Sequence, residues 1–206
     1  WKEAEESQDG TIRAMDHFQY RDGILYAEDV AIPDIAAAVG TPFYCYSTAT
    51  MTRHYQVLAG SLEGTGARIC YAVKANSNQA VIRTMVELGA GADVISGGEL
   101  QRAMAAGATA DSIVFAGPGK TRDELAQALA VDIYQFNVES EPELRLLSAV
   151  ASEMGKVAPV SIRVNPDVDA GTHEKITTGR KQNKFGIPID RAMDIFDLGA
   201  SLPGLA

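Results

Sequence analysis

Residues 67–107 read ARICYAVKANSNQAVIRTMVELGAGADVISGGELQRAMAAG. Within this stretch two short apolar runs, at 67–75 and 92–96, alternate with two segments of helical period, at 78–89 and 97–106. Parallel strands need a crossover that is long enough to hold a helix, so this alternation is typical of a parallel sheet. The stretch therefore predicts two consecutive βα units.

The same alternation continues on both sides, at intervals of about 20 to 30 residues. Further strand candidates lie at 43–47, 112–117, 133–137 and 160–165, and further helix candidates at 49–63, 121–130, 141–154 and 188–199. The six βα units predict the α/β class and an incomplete (β/α)8 barrel, because the complete barrel has eight units and about 250 residues. The final GASLPGLA falls where a seventh strand is expected to begin, so we expect the sequence to be part of a longer protein.

The residues before the predicted barrel have a different pattern. Residues 1–14 are polar and acidic, which predicts an extension outside the fold. Residues 15–42 predict two short strands around Asp22 and Gly23, followed by a short helix. We therefore expect three parts: the extension, an N-terminal segment at 15–42, and a partial barrel at 43–206.

The composition excludes several classes of protein. A chain with 46% hydrophobic and 22% charged residues forms a globular core, and a net charge of -9 argues against binding to nucleic acid. No apolar run approaches the roughly 20 residues that cross a bilayer, and the N-terminus lacks a secretory signal. We therefore expect a cytoplasmic protein in which Cys45 and Cys70 are unpaired, small hydrophobic residues.

Lys74 is the sharpest candidate for chemistry, because it ends the apolar run ICYAV, where a lysine is normally excluded. A lysine at the carboxyl end of a barrel strand can be desolvated, which lowers its pKa and frees the amine to attack an aldehyde. The alternative is a lysine whose stem packs on the strand while its ammonium group reaches solvent. Position alone leaves both interpretations open.

Four blocks of sequence extend the interpretation of Lys74: YAVKAN (71–76), GADVISGGEL (91–100), RVNPDVDAGTHEKITTG (163–179) and NKFGI (183–187). YAVKAN alone is also similar to a string in alanine racemases. In this order and spacing the four blocks resemble the fold-type III decarboxylases that depend on pyridoxal 5'-phosphate (PLP), and among these the diaminopimelate decarboxylases. The resemblance implies the alanine racemase-like barrel, PLP as the cofactor, and Lys74 as the residue that forms an imine with it.

The resemblance also implies roles for three charged residues. Asp93 resembles an acid that lies near the cofactor and its lysine, although a carboxylate at a helix N-terminus is the alternative. Arg163 resembles an arginine that faces the PLP ring, although a buried salt bridge, for instance with Asp93, is the alternative. Glu99 occupies a similar family position, but acids are common in the first turn of a helix.

Other candidates are weaker. His173 lies with Lys175 in a long polar loop at 167–184, where substrate gating and a solvated surface are both open. The ring-stacking histidine of the family is expected on the following strand, so His173 stays a possible contact only. Gly97 begins a helix as a phosphate cradle does, but the family binds phosphate through later loops. His17 and His54 lack metal-ligand spacing, and no metal is predicted.

For the full-length protein the resemblance implies decarboxylation of meso-2,6-diaminopimelate to L-lysine and CO2. It also implies a homodimer, and a C-terminal β-domain with which residues 15–42 pack. We expect these 206 residues alone to be inactive. Three alternatives stay open: an ornithine- or arginine-type decarboxylase or amino-acid racemase, a noncatalytic PLP-binding barrel, and a barrel that binds another phosphorylated ligand.

Overall fold

A computed structural model describes residues 5–6, 12–13, 16–166 and 185–206. The chain divides into two compact units, 1–67 and 68–206. The candidate site lies in the second unit. The predicted boundaries after residues 14 and 42 stay predictions.

The first unit begins with short antiparallel strands. β1 (Glu5–Glu6) pairs with β2 (Ile12–Arg13), and a separate three-stranded sheet contains β3 (Phe18–Arg21), β4 (Ile24–Ala27) and β5 (Val30–Ala31). Asp22 and Gly23 join β3 to β4 with φ values of 50° and 79°. Two consecutive positive φ angles suit the twist of a tight hairpin, so the predicted pair of strands is confirmed.

Two helices complete this unit: α1 (Ile32–Val39) and α2 (Thr48–Ser61). The Ser47 hydroxyl accepts a hydrogen bond from the Thr50 N–H and caps α2. The strand predicted at 43–47 is not formed, and this prediction is wrong. Its aromatic run favours an extended backbone, but a strand also needs a hydrogen-bonded neighbour, and Tyr44 within it is 89% exposed.

The second unit contains a five-stranded parallel sheet in which neighbours in the sheet are neighbours in sequence. Its strands are β6 (Cys70–Ala72), β7 (Gly91–Val94), β8 (Ile113–Phe115), β9 (Gln135–Val138) and β10 (Val160–Ile162). The helices that follow them are α3 (Gln79–Glu87), α4 (Gly97–Ala105), α5 (Arg122–Ala130), α6 (Glu141–Glu153) and α7 (Ala192–Ser201). The α/β class and the barrel-type order are confirmed, with five βα units rather than six because 43–47 is not a strand.

Between β10 and α7 a second parallel pair forms, from β11 (Val164–Asn165) and β12 (Ile187–Pro188). The Ile187 N–H donates to the Arg163 carbonyl at 2.8 Å. Gly186 has a φ of 82°, and a Cβ there would lie 2.9 Å from the same carbonyl oxygen. Only glycine fits this approach, which explains the glycine of the NKFGI block.

The end of the chain adds a further strand segment to the sheet. The N–H groups of Ala158 and Val160 donate to the carbonyls of Gly204 and Ala206 at 2.9 and 2.8 Å, and Ala206 returns a bond to Ala158 at 2.9 Å. The bridge is parallel. A single parallel bridge thus forms in the segment where the sequence predicts that a strand begins.

The core fills the space between the sheet and its helices. Its largest fully buried side chains include Phe115, Phe136, Ile82, Leu100, Ile113, Leu125, Leu144 and Leu147. The predicted helix starts are confirmed, because Ser96, Thr121 and Ser140 cap α4, α5 and α6 through their side-chain oxygens. No helix in the described part of the chain is long and apolar enough to cross a membrane.

Candidate active site at the carboxyl ends of the parallel strands

Four charged residues lie at one edge of the parallel sheet, where its strands end. Lys74 follows β6, Asp93 lies in β7, and Glu139 and Arg163 directly follow β9 and β10. Parallel strands place their carboxyl ends at the same edge, which is where barrel enzymes build their active sites. The fold therefore gathers three of the predicted residues and adds Glu139.

Lys74 occupies the middle of a single 3-10 turn, Val73–Ala75, that directly continues β6. Val73 is fully buried and anchors the turn, while the Tyr71 hydroxyl donates to the Asn76 carbonyl at 3.1 Å. The Lys74 side chain itself is exposed. The predicted desolvation of Lys74 is therefore not seen in this chain, and its amine is accessible from the open edge of the sheet.

Asp93 is the clearest electrostatic anomaly of the edge. Its Oδ1 atom is buried and has no hydrogen-bond partner. Burial raises the pKa of Asp93, the charges of Glu99 and Glu139 act in the same direction, and those of Lys74 and Arg163 oppose them. Asp93 does not cap the following helix, because Ser96 does so. A buried acceptor atom that lacks a donor, on an acid beside a lysine, is suited to bind a donor group of a ligand.

Arg163 pairs with Glu139 and not with Asp93. Its Nη1 atom donates to Glu139 Oε1 at 2.8 Å, and its guanidinium lies 5.6 Å from the centre of the Phe185 ring. The Glu139 side chain is 2% exposed, whereas that of Arg163 is 40% exposed. Arg163 thus forms the salt bridge that was the alternative interpretation, but with Glu139 instead of Asp93.

Glu99 serves the start of α4. Its Oε2 atom accepts from the Ile95 N–H at 2.8 Å, while its own N–H donates to the Ser96 hydroxyl at 3.2 Å. These two bonds resemble a capping box. Glu99 is close enough to raise the pKa of Asp93, although other causes are larger. The structure therefore assigns it a structural task, and its contact with a cofactor stays a prediction.

The glycine pair at the start of α4 is not a phosphate cradle. The Gly97 N–H donates to Glu124 Oε1 at 2.9 Å. A Cβ at Gly97 would lie 2.8 Å from Gln127 Oε1, so the Gln127 side chain would have to shift to admit one. The anion at this helix start is a carboxylate of the chain itself.

A buried ion pair between Lys120 and Glu143 was not predicted from the sequence. Lys120 is 6% exposed, and its Nζ atom donates to Glu143 Oε1 at 2.6 Å and to the carbonyls of Gly117 and Asn137 at 2.8 Å. Burial raises the pKa of Glu143, although Lys120 opposes this shift. All three ammonium hydrogens thus have acceptors, so Lys120 is committed to structure and Lys74 is the accessible lysine of the edge.

The other predicted residues lie elsewhere. His173, Lys175 and the loop at 167–184 are outside the described residues. In the first unit the Nδ1 atoms of His17 and His54 lie 3.0 and 2.8 Å from the side-chain and backbone oxygens of Thr50. Cys45 and Cys70 are free thiols.

Known proteins match this chain closely. The family described as "Pyridoxal-dependent decarboxylase, pyridoxal binding domain" matches residues 29–205. The diaminopimelate decarboxylases of Pseudomonas fluorescens and Vibrio cholerae are 53% and 52% identical over 192 residues, which cover 93% of this chain and 46% of theirs. The structure of diaminopimelate decarboxylase from M. jannaschii with L-lysine has a TM-score of 0.82 and 35% identity, over 92% of this chain and 46% of that one. The chain thus spans about half the length of the curated relatives it matches.

Proposed function

This chain belongs to the pyridoxal-dependent decarboxylase family, whose pyridoxal binding domain it contains, and from that premise we propose that it is part of a diaminopimelate decarboxylase. The proposed reaction removes one carboxyl group from meso-2,6-diaminopimelate and gives L-lysine and CO2. The chain spans 46% of its relatives' length, so the reaction is proposed for the complete polypeptide. We expect these 206 residues alone to be inactive.

One observation supports the assignment of the cofactor site: an exposed lysine lies at the carboxyl edge of the sheet beside a half-buried acid, one of whose oxygens is buried and lacks a donor. An accessible primary amine can bond to the aldehyde carbon of PLP. Asp93 would then hold the cofactor by accepting a hydrogen bond through its unpartnered oxygen. The residues at this edge therefore fit PLP in their chemistry.

Bound PLP supplies an electron sink that takes up the charge left when CO2 departs. The chain's own residues would control charge and protons around it. Lys74 offers an amine that can take up or release a proton, and its charge opposes the rise in the pKa of Asp93. Because burial raises the pKa of Asp93, this acid can also hold a proton at the same edge. Arg163 adds a fixed positive charge, held in place by Glu139.

We also propose the substrate class, the partners, the cellular location and the oligomeric state of the complete protein. The substrate is a small amino acid, since that is the class of molecule on which this family acts. The net charge of -9 supports a protein that does not bind nucleic acid. A cytoplasmic location and a homodimer are proposed from the resemblance described above.

The proposal is tested by incubating the protein with PLP, reducing with borohydride, and mapping the labelled peptide by mass spectrometry. Reduction fixes the bond between the aldehyde carbon and the amine, so we expect one label, on Lys74, and none in Lys74→Ala. Lys156 is an internal control for a lysine outside the site, because it lies before β10, at the opposite ends of the strands, and its ammonium group donates to two carbonyls and to Asp132. Equal labelling of Lys74 and Lys156 would contradict a built site.

The substrate is tested on the complete polypeptide loaded with PLP. We expect CO2 release from meso-2,6-diaminopimelate to exceed that from L-ornithine or L-arginine by at least about a hundredfold, because losing a buried polar contact to the substrate costs a few kcal/mol. Racemisation without CO2 release, or preference for another amino acid, would overturn the substrate and leave the cofactor site standing.

A further inference from the structure

Glu139 was not among the residues predicted for the site, and so far it has been described only as the partner of Arg163, yet its position is unusual. Its side chain is 2% exposed at the carboxyl edge of the sheet, and its Oε2 atom is buried without a hydrogen-bond partner. It also lines a cavity of about 260 Å³ between the start of α6 and β12. Burying a carboxylate is costly, so a fold retains one only where it acts on its neighbours.

The contacts of Glu139 join three consecutive strands. It follows β9, and its Oε1 atom accepts from the Gly117 N–H, beyond the end of β8, at 3.0 Å. The same atom accepts from Arg163, beyond the end of β10, at 2.8 Å. Glu139 therefore fixes the position of Arg163 relative to the edge on which Lys74 and Asp93 lie.

A second layer of contacts holds Glu139 itself. The Gly117 carbonyl accepts from Lys120, so the glycine that donates to Glu139 is bonded on both sides. Lys120 is neutralised by Glu143 at 2.6 Å. With Lys120 committed in this way, the charge of Glu139 is balanced by Arg163.

Arg163 has two acids within electrostatic reach, Glu139 and Asp93, and bonds to the first. We propose that Glu139 is a positioning residue, which holds Arg163 at the end of β10 and so keeps the buried oxygen of Asp93 free for Lys74 and the cofactor. The part of this inference that concerns the cofactor rests on the proposed function. The pairing of Arg163 with Glu139, and not with Asp93, does not depend on it.

The first test needs no cofactor. In Glu139→Gln the charge that raises the pKa of Asp93 is removed and the neutral amide no longer neutralises Arg163, so the guanidinium turns to Asp93, and through both effects we expect the pKa of Asp93 to fall by about one unit. The pKa is measured by carboxyl NMR in the protein and in the variant. The groups that face Asp93 are Cys70 within β6, Lys74 after β6, Glu99 on α4, Glu139 and Arg163, and only the last pair is changed. An unchanged Asp93 pKa in the folded variant overturns the proposal.

The second test uses PLP itself. We expect Glu139→Gln to bind PLP about tenfold more weakly, as measured by absorbance titration, since a charge-assisted hydrogen bond is lost and Asp93 is occupied. Glu87→Gln is the matched control, because Glu87 is exposed at the end of α3, and its affinity should equal that of the unmodified protein.

Glu139→Asp separates positioning from folding. It keeps the charge, so the Asp93 pKa should stay near its value in the unmodified protein even if stability falls. Should Glu139→Gln fail to fold, an Asp93 pKa that drops in Glu139→Asp overturns the proposal, and one that stays supports it. If the unmodified protein is not labelled at Lys74 but Asp93 responds to Glu139→Gln, the proposed function fails while the pairing of Arg163 stands.

Discussion

Asp93 shows at the level of one residue how a binding site can oppose stability. Folding buries one of its carboxyl oxygens without a donor, and burial raises its pKa above the ordinary value. The folded chain therefore binds a proton on Asp93 more tightly than the unfolded chain does. Stability is lost as the pH rises through the window between the ordinary pKa of Asp93 and its raised folded value.

We expect Asp93→Asn to increase the free energy of unfolding at about pH 7 by about 1 kcal/mol, because an ionised group is removed from a buried position. The gain should disappear below about pH 4, where aspartic acid is neutral in both states. Urea unfolding at several pH values measures it, and labelling of Lys74 by PLP should fall in the same variant. Asp123→Asn, on an exposed acid of α5, should change stability by only a few tenths of a kcal/mol. Equal stability of Asp93→Asn and the unmodified protein at neutral pH would contradict this account.

Single residues differ in how far the sequence reveals them. Lys74 stands out because a lysine ends an apolar run, and Asp93 and Arg163 follow from the family blocks. The rule that found Lys74 does not single out Lys120, which lies five residues after β8, or Glu139, which follows the mixed strand QFNV. It also cannot tell that Lys120 donates three bonds inward while Lys74 is exposed. That difference depends on the packing of neighbouring strands.

At the scale of elements, Glu124 joins two helices by their first turns. It accepts from the N–H and the hydroxyl of Thr121 at 3.0 and 2.8 Å in a capping box on α5, and from the Gly97 N–H at the start of α4. The hydrogen bond from Gly97, followed by that from the Thr121 backbone, lowers the pKa of Glu124. Its stabilising effect is thus complete above the ordinary pKa of glutamate and is lost as the pH falls through the lowered value.

Glu124→Ala should therefore lower the free energy of unfolding by about 1 to 2 kcal/mol at neutral pH. Asp123→Ala is the control, because Asp123 lies in the same turn, is exposed, and affects the helix mainly through its charge, worth a few tenths of a kcal/mol. Urea unfolding of both variants at neutral and acidic pH is the measurement. Similar losses in the two variants would show that charge near the helix start, and not the link to Gly97, is responsible.

Elements with a clear periodic pattern were predicted well. α4, α5 and α6 begin within one residue of their predicted starts at 97, 121 and 141, and the five strands of the sheet lie within or next to their predicted runs. The run at 43–47 fails because its pattern describes one chain, whereas a strand depends on a partner. The run at 160–165 was predicted as one strand, and nothing in its pattern indicates the break at Arg163 that separates β10 from β11.

For the molecule as a whole, the growth of the parallel sheet is the decisive feature. Each new strand covers the edge left by the previous one, and an uncovered edge exposes unpaired backbone groups. Residues 204–206 begin to cover this edge, by hydrogen bonds to Ala158 and to Val160, the first residue of β10. The Ser148 hydroxyl, on α6, donates to the Pro203 carbonyl at 2.7 Å and ties the same segment to the helical layer. The last residues of the sequence therefore belong to the fold.

Deletion of residues 203–206 should consequently lower the free energy of unfolding by about 3 to 5 kcal/mol, since three backbone hydrogen bonds, the Ser148 bond and the packing of Leu205 on the core are lost. Ser148→Ala alone should cost about 1 kcal/mol. Urea unfolding gives the energies, and hydrogen exchange shows their origin: the amides of Ala158 and Val160 should lose protection in the deletion but keep it in Ser148→Ala. Retained protection of both amides after the deletion would mean that β10 does not depend on the strand beside it.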